Sequence, residues 1–182
     1  MMTENNLERG ATCNQYRPAR EYTHFQELVD NLPYLLMGLC GGVLFLAGFG
    51  LSPLGWLVAA SYLAYCAAGA LWIIVFVCPH CQHYGTRACP CGYGQLSAKL
   101  APKCQENRFA RQFRKHIPVI VPLWVIPVIA GIAFYIRYRS QGMLVLLIVF
   151  VIDAFVLLPL VSRLYGCGHC PQKTDCPWMV KG

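Results

Sequence analysis

Residues 32–51 read "LPYLLMGLCGGVLFLAGFGL", Leu32 to Leu51, twenty positions without one charged side chain. A helix of that length rises ~30 Å, the thickness of the hydrocarbon core of a bilayer. The stretch is apolar all round, so it offers no face to water. Three further blocks have the same character: Leu54–Val77, Ile117–Ile136 and Met143–Leu164. Of the 182 residues, 57% are hydrophobic and 13% charged, which is too apolar for a water-soluble domain of this size. Inside a bilayer a helix satisfies its own backbone polar groups, so each block is expected to form one spanning helix. The first block follows a polar leader and lacks the basic start and short apolar core of a cleavable signal.

The expected fold class is therefore an all-α integral membrane protein, a four-helix transmembrane bundle with a cytoplasmic cysteine-rich, metal-binding loop and tail. The chain divides into a leader (1–31), the first two spans (32–77), the cysteine-rich loop (78–116), the last two spans (117–164) and a cysteine-rich tail (165–182). Within the leader, Arg20–Pro33 ("REYTHFQELVDNLP") reads as a short interfacial helix.

Lysine and arginine set the expected orientation. Four spans put the leader, the loop and the tail on one side, with thirteen basic residues. The opposite side keeps only Arg137 and Arg139. Positive charge stays in the cytoplasm, so the expectation is a multi-pass cell-membrane protein with both termini cytoplasmic. The net charge of +7 is accounted for by residues flanking the spans, where they meet anionic lipid heads, and calls for no nucleic acid. "RFARQFRKH", Arg108–His116, reads as a basic amphipathic stretch on the lipid surface or, alternatively, as a dock for an acidic soluble partner.

The chemistry lies in the cysteines. Of eleven, Cys40 and Cys66 fall inside spans and read as small apolar residues, and Cys13 stands alone in the leader. The remaining eight are Cys78, Cys81, Cys89, Cys91 and Cys104 in the loop and Cys167, Cys170 and Cys176 in the tail. All eight fall on the expected cytoplasmic side, where a reducing environment disfavours disulfides and favours metal ligation. Cys78-x2-Cys81 and Cys167-x2-Cys170 are chelating pairs at the ends of spans two and four. Eight thiols divide into two sets of four. One partition joins those two helix-end pairs and leaves Cys89, Cys91, Cys104 and Cys176 as the second set; an interleaved pairing is the alternative. Iron–sulfur clusters and zinc both accept four thiolates, so an iron–sulfur cluster is the leading cofactor and zinc the alternative. Proline follows Cys78, Cys89, Cys170 and Cys176 and suits the turns of either kind of site. His80, His83 and His169 read as polar surface residues beside the clusters, with a ligand role as the alternative. No histidine lies within an apolar block, which argues against a haem held between two membrane histidines.

The blocks carry one carboxylate, Asp153, at the middle of the fourth. A lone ionisable group at that depth is costly and faces the bundle interior. Two roles are open: a proton path or ligand pocket, or a structural hydrogen bond to Ser61, Tyr62 or Tyr65 of span two. The Gly38-x3-Gly42 pair and the Ala60, Ala64, Ala68 stripe are expected to let helices approach closely, and Pro118, Pro122 and Pro127 to bend span three. No phosphate-binding loop, nucleophile elbow or H-E-x-x-H motif is present.

Helix count and the C-x2-C-P at Cys167–Pro171 make the layout similar to four-helix ferredoxin-type quinol dehydrogenase subunits, without that family's dense C-x2-C-x2-C-x3-C-P run. The resemblance implies electron transfer at the cytoplasmic face with a soluble or membrane redox protein, and with quinone. The competing class is a non-catalytic membrane scaffold or sensor with structural four-cysteine zinc sites.

Overall fold

The computed structural model describes residues 21–166, and these are all helix and loop, with no strand among them. Four helical runs are long and apolar enough to cross a membrane: His24–Phe49, Pro53–His80, Glu106–Tyr138 and Gln141–Leu164. The helices are α1 (His24–Phe49), α2 (Pro53–Phe76), α3 (Tyr93–Leu100), α4 (Phe109–His116), α5 (Pro122–Tyr138), α6 (Gln141–Ile152) and the single turn α7 (Leu158–Val161).

Helix α1 begins eight residues before its apolar block. The Thr23 side chain accepts from the Gln26 N–H, and Gln26 Oε1 accepts from the Thr23 N–H, so a capping box sets the start. The helix then runs through Pro33 without a break, and there is no separate interfacial helix in 24–33. Ser52 caps α2 through the Gly55 N–H at 3.1 Å, with Pro53 at the first helical position.

The core is built around α1. Met37 and Phe45 of α1 meet Ala59, Tyr62 and Cys66 of α2, Leu123 of α5, and Phe150 and Ala154 of the fourth run. A second cluster joins Leu44 to Met143 and Leu147. Small residues permit this closeness. A Cβ on Gly41 would lie 2.4 Å from the Tyr62 ring, and one on Gly48 would lie 2.2 Å from Phe134. The Gly38/Gly42 pair faces Leu63 of α2, as expected. The Ala60, Ala64, Ala68 stripe does not: all three are exposed. Large apolar side chains such as Leu39, Leu57, Ile129 and Val145 cover the outside, as a lipid environment requires.

Prolines shape the last two runs. Pro127 has no N–H, so the Leu123 carbonyl loses its donor four residues on. Tyr62 supplies the missing donor, its hydroxyl donating to Leu123 O at 3.1 Å. Tyr65 donates likewise to Val119 O, in the 3₁₀ turn Ile117–Val119 that leads into α5. That turn also joins α4 end to end with span three, so the basic stretch forms the first part of one helical run. In the fourth run, residues Asp153–Leu157 form a π-helical segment, with the Leu158 N–H bonding to Asp153 O. It lies just before Pro159, whose absent N–H weakens a regular α-helical ladder there.

Three parts of the chain meet at one end of the bundle. The Tyr22 N–H bonds to Arg87 O at 2.9 Å, and Asn31 Nδ2 donates to Cys91 O at 3.0 Å. A Cβ on Gly166 would lie 3.1 Å from the Pro90 ring and 3.6 Å from Asp30 Oδ1. The start of α1, the cysteine-rich loop and the end of the fourth run are thus packed together.

Candidate metal centre

Two similar turns carry the loop thiols. In the first, Cys78–His80 forms a 3₁₀ turn and the Cys81 N–H returns to Cys78 O at 3.0 Å. In the second, the Gly92 N–H returns to Cys89 O at 3.1 Å. Each turn opens with Cys-Pro, whose fixed φ suits the first corner. Each is followed by Tyr-Gly, Tyr84–Gly85 and Tyr93–Gly94, and the Gly85 N–H bonds to Gly94 O at 2.9 Å, tying the two together. Gly85 and Gly92 both sit at φ 73°, where a side chain would be strained.

The two turns bring four thiols into one neighbourhood. The sulfurs of Cys89 and Cys91 are 3.8 Å apart. Cys78 has Cys89 and Cys81 as its electrostatic neighbours, and Cys91 has Cys89, Asp30 and Cys78. Cys78 is thus within electrostatic reach of both Cys81 and Cys89, while the helix-end partition turns on Cys167 and Cys170, which lie outside the described residues. Cys104 is tied to the first turn through its backbone, its N–H bonding to Pro79 O at 2.9 Å. Its side chain is exposed, the thiol donating to Pro102 O at 3.6 Å. Cys13, Cys167, Cys170, Cys176 and His169 lie outside the described residues.

The environment favours a thiolate at one of the four. The Cys89 and Cys91 thiols share one hydrogen bond, and backbone N–H groups of Gly94, Cys91 and Tyr93 serve the Cys89 sulfur. These donors hold the Cys89 thiol below its usual range against the opposing effect of burial. The same bond pushes Cys91 up, with burial adding to it. The His83 N–H lies 3.5 Å from Cys81 Sγ, a donor of the same kind.

The fit to a metal ion is partial. Cys89 and Cys91 stand at the spacing of two ligands on one ion, and Cys78 is within electrostatic reach of both. Among the described residues, however, no three His, Cys, Asp or Glu side chains converge on one point.

His80 and His83 differ from the surface residues expected. They are 9% and 7% exposed, and the His80 ring bonds to the Phe76 carbonyl. Burial lowers the His83 ring below its usual range, favouring the neutral form. The spacing in sequence did not reveal Asp30. Its Oδ1 is buried without a hydrogen-bond partner among the described residues, and it sits beside Cys91 and Gly166. Its sequence context is an ordinary helical turn, and only the long-range packing of loop on α1 brings it to the thiols.

Asp153 is 3% exposed, and neither carboxylate oxygen has a hydrogen-bond partner among the described residues. The expected link to span two is absent. Ser61 is exposed on the outer face, while Tyr62 and Tyr65 give their hydroxyls to α5 and the turn before it. Asp153 instead lies within electrostatic reach of Cys40 on α1, at the first residue of the π segment. No protein-family model, curated protein or solved structure matches this chain.

Proposed function

We propose that this is an integral membrane metalloprotein of the cell membrane, whose cysteine-rich loop and tail hold iron–sulfur centres at the cytoplasmic face and exchange electrons with a redox partner. The carrying observation is the Cys89–Cys91 pair at 3.8 Å, with Cys78 and Cys81 as neighbours. Cys78, Cys81, Cys89 and Cys91 would hold one centre, and Cys104, Cys167, Cys170 and Cys176 are the remaining candidate ligands. Bound iron would supply a one-electron couple at the lipid boundary. The chain's own contribution is to supply thiolates, to direct N–H groups at their charge, and to seat the site between helix ends. The partner is a soluble or membrane redox protein, with quinone as the membrane-phase acceptor. Asp153 would then serve a proton path or a deep pocket.

A second reading is a scaffold in which zinc staples the loop. It is favoured by the loop's position between the start of α1 and the end of the fourth run, where cross-linking would hold three chain segments together. Elemental analysis and redox titration of the full chain, purified without oxygen, separate the readings. The first expects iron and visible absorption that bleaches reversibly on reduction. Colourless protein with stoichiometric zinc would move the conclusion to the scaffold, and protein with neither metal would sink both.

A further inference from the structure

We infer that Asp153 is a proton-loading site: the π segment of the fourth run holds its carboxyl as the neutral acid and exchanges that proton with the aqueous phase. The inference rests on the proposed electron-transfer reading and deepens it, choosing proton binding over a ligand pocket at this residue. Quinone takes up a proton for each electron, so electrons delivered at the membrane face call for protons held at depth.

Asp153 is 3% exposed, and neither of its oxygens has a hydrogen-bond partner among the described residues. The groups around it supply no positive charge. Helix α1 packs on the π segment, and its titratable group within electrostatic reach of Asp153 is the Cys40 thiol. The basic residue of the fourth run, Arg163, is exposed and lies ten positions on, ~15 Å along a helix. An unpaired carboxylate in such surroundings is far more costly than the neutral acid, which needs only an acceptor for one O–H.

The π segment frees such an acceptor. In an α-helix the Leu158 N–H would serve the Ala154 carbonyl; here it goes to Asp153 O. The next residue is Pro159, which has no N–H to give. Ala154 is 5% exposed, so a buried carbonyl next along the chain from Asp153 is left without its regular helical donor. Membrane helices interrupted in this way use the released carbonyls to hold protons or small cations. Among the described residues no group of three His, Cys, Asp or Glu side chains offers a metal ion a site, which favours the proton. Toward the loop end the same run carries Ser162, partly buried, at the head of a second π segment, Ser162–Gly166. The helical ladder between Asp153 and that end is thus loosened twice, which gives the proton its way to water.

The test is infrared spectroscopy of the full chain in detergent at neutral pH. It reads the C=O stretch of a protonated carboxyl apart from carboxylate and amide bands, and it needs neither metal nor redox partner. Wild type minus Asp153→Asn should show such a band. The band should shift in wild type made with carboxyl-labelled carbon-13 aspartate, and shift again when D2O replaces H2O around the folded protein. Asp153→Glu should restore it, now answering to labelled glutamate. Absence of the band at neutral pH would overturn the inference. So would a band that stayed unshifted in D2O, which would mark a sealed structural hydrogen, and so would loss of the band on adding sodium chloride, which would mark a metal-ion site. Labelled wild type alone shows whether an aspartic acid band exists and exchanges, so a misfolded variant does not shield the inference. The band in protein that binds no metal would uphold the proton site and overturn the electron-transfer reading; iron without the band would do the reverse.

Discussion

Tyr62 does two things for one side chain. Its ring fills the space that Gly41 leaves open, and its hydroxyl answers the Leu123 carbonyl that Pro127 deprives of a donor. Tyr62→Phe keeps the ring and removes the bond, so it should cost about 0.5–1.5 kcal/mol, the range for one such bond in a protein interior or a membrane. Reversible unfolding in detergent micelles measures that loss, and an unchanged midpoint would show that water reaches the carbonyl instead. Asp153 presents the opposite case, a buried carboxyl with no hydrogen-bond partner among the described residues. Leaving such a group unmatched costs stability, so Asp153→Leu should unfold at a higher denaturant concentration than wild type. Asp153→Asn should keep full metal content and normal insertion yet slow quinone-linked turnover, since it cannot ionise. Wild-type turnover in Asp153→Asn, together with a destabilised Asp153→Leu, would make the residue structural and strengthen the scaffold reading.

Among the elements, α1 depends most on what its side chains lack. Gly41→Val would force a branched side chain into the Tyr62 ring, at a position where the built Cβ alone comes to 2.4 Å. The α1–α2 contact should open, with a loss of about 1–3 kcal/mol, the usual cost of overpacking. Ala64→Val, on the exposed face of α2, should leave stability within about 0.5 kcal/mol in the same assay. That contrast marks how far periodicity can be read. Apolar blocks announced four spans because length and hydropathy alone decide them. The Gly38/Gly42 and Ala60/Ala64/Ala68 stripes look alike in sequence, yet only the first meets a helix, because lipid and a neighbouring helix are equally apolar partners. The start of α1 was misplaced because a capping box outweighed the change in hydropathy. The π segment at Asp153 was not visible, since it arises where Pro159 interrupts the ladder within a packed run. The Cys78-x2-Cys81 pair was legible from spacing; its approach to the Cys89 turn was not, because the Gly85–Gly94 bond that joins the two turns spans nine positions and leaves no periodic trace.

At the scale of the whole molecule, the packing places the start of α1, the loop and the end of the fourth run at one end of the bundle. The short turn between α5 and α6, with Arg137 and Arg139 at its start, lies one span beyond the loop and one span before the end of the fourth run. Of the thirteen basic residues counted against these two, the eight among the described residues lie in the loop, at the start of the third run and near the end of the fourth. Basic residues near span ends resist translocation, so the cysteine-rich end is expected in the cytoplasm. Reporter fusions at Gly142 and Lys181 should score on opposite sides, Gly142 outside and Lys181 inside. The result bears on the chemistry as well as the topology. Cytoplasmic thiols stay reduced and available to a metal, whereas the same thiols facing an oxidising compartment would pair as disulfides. An inside score at Gly142 with an outside score at Lys181 would therefore remove the ground for metal ligation together with the orientation.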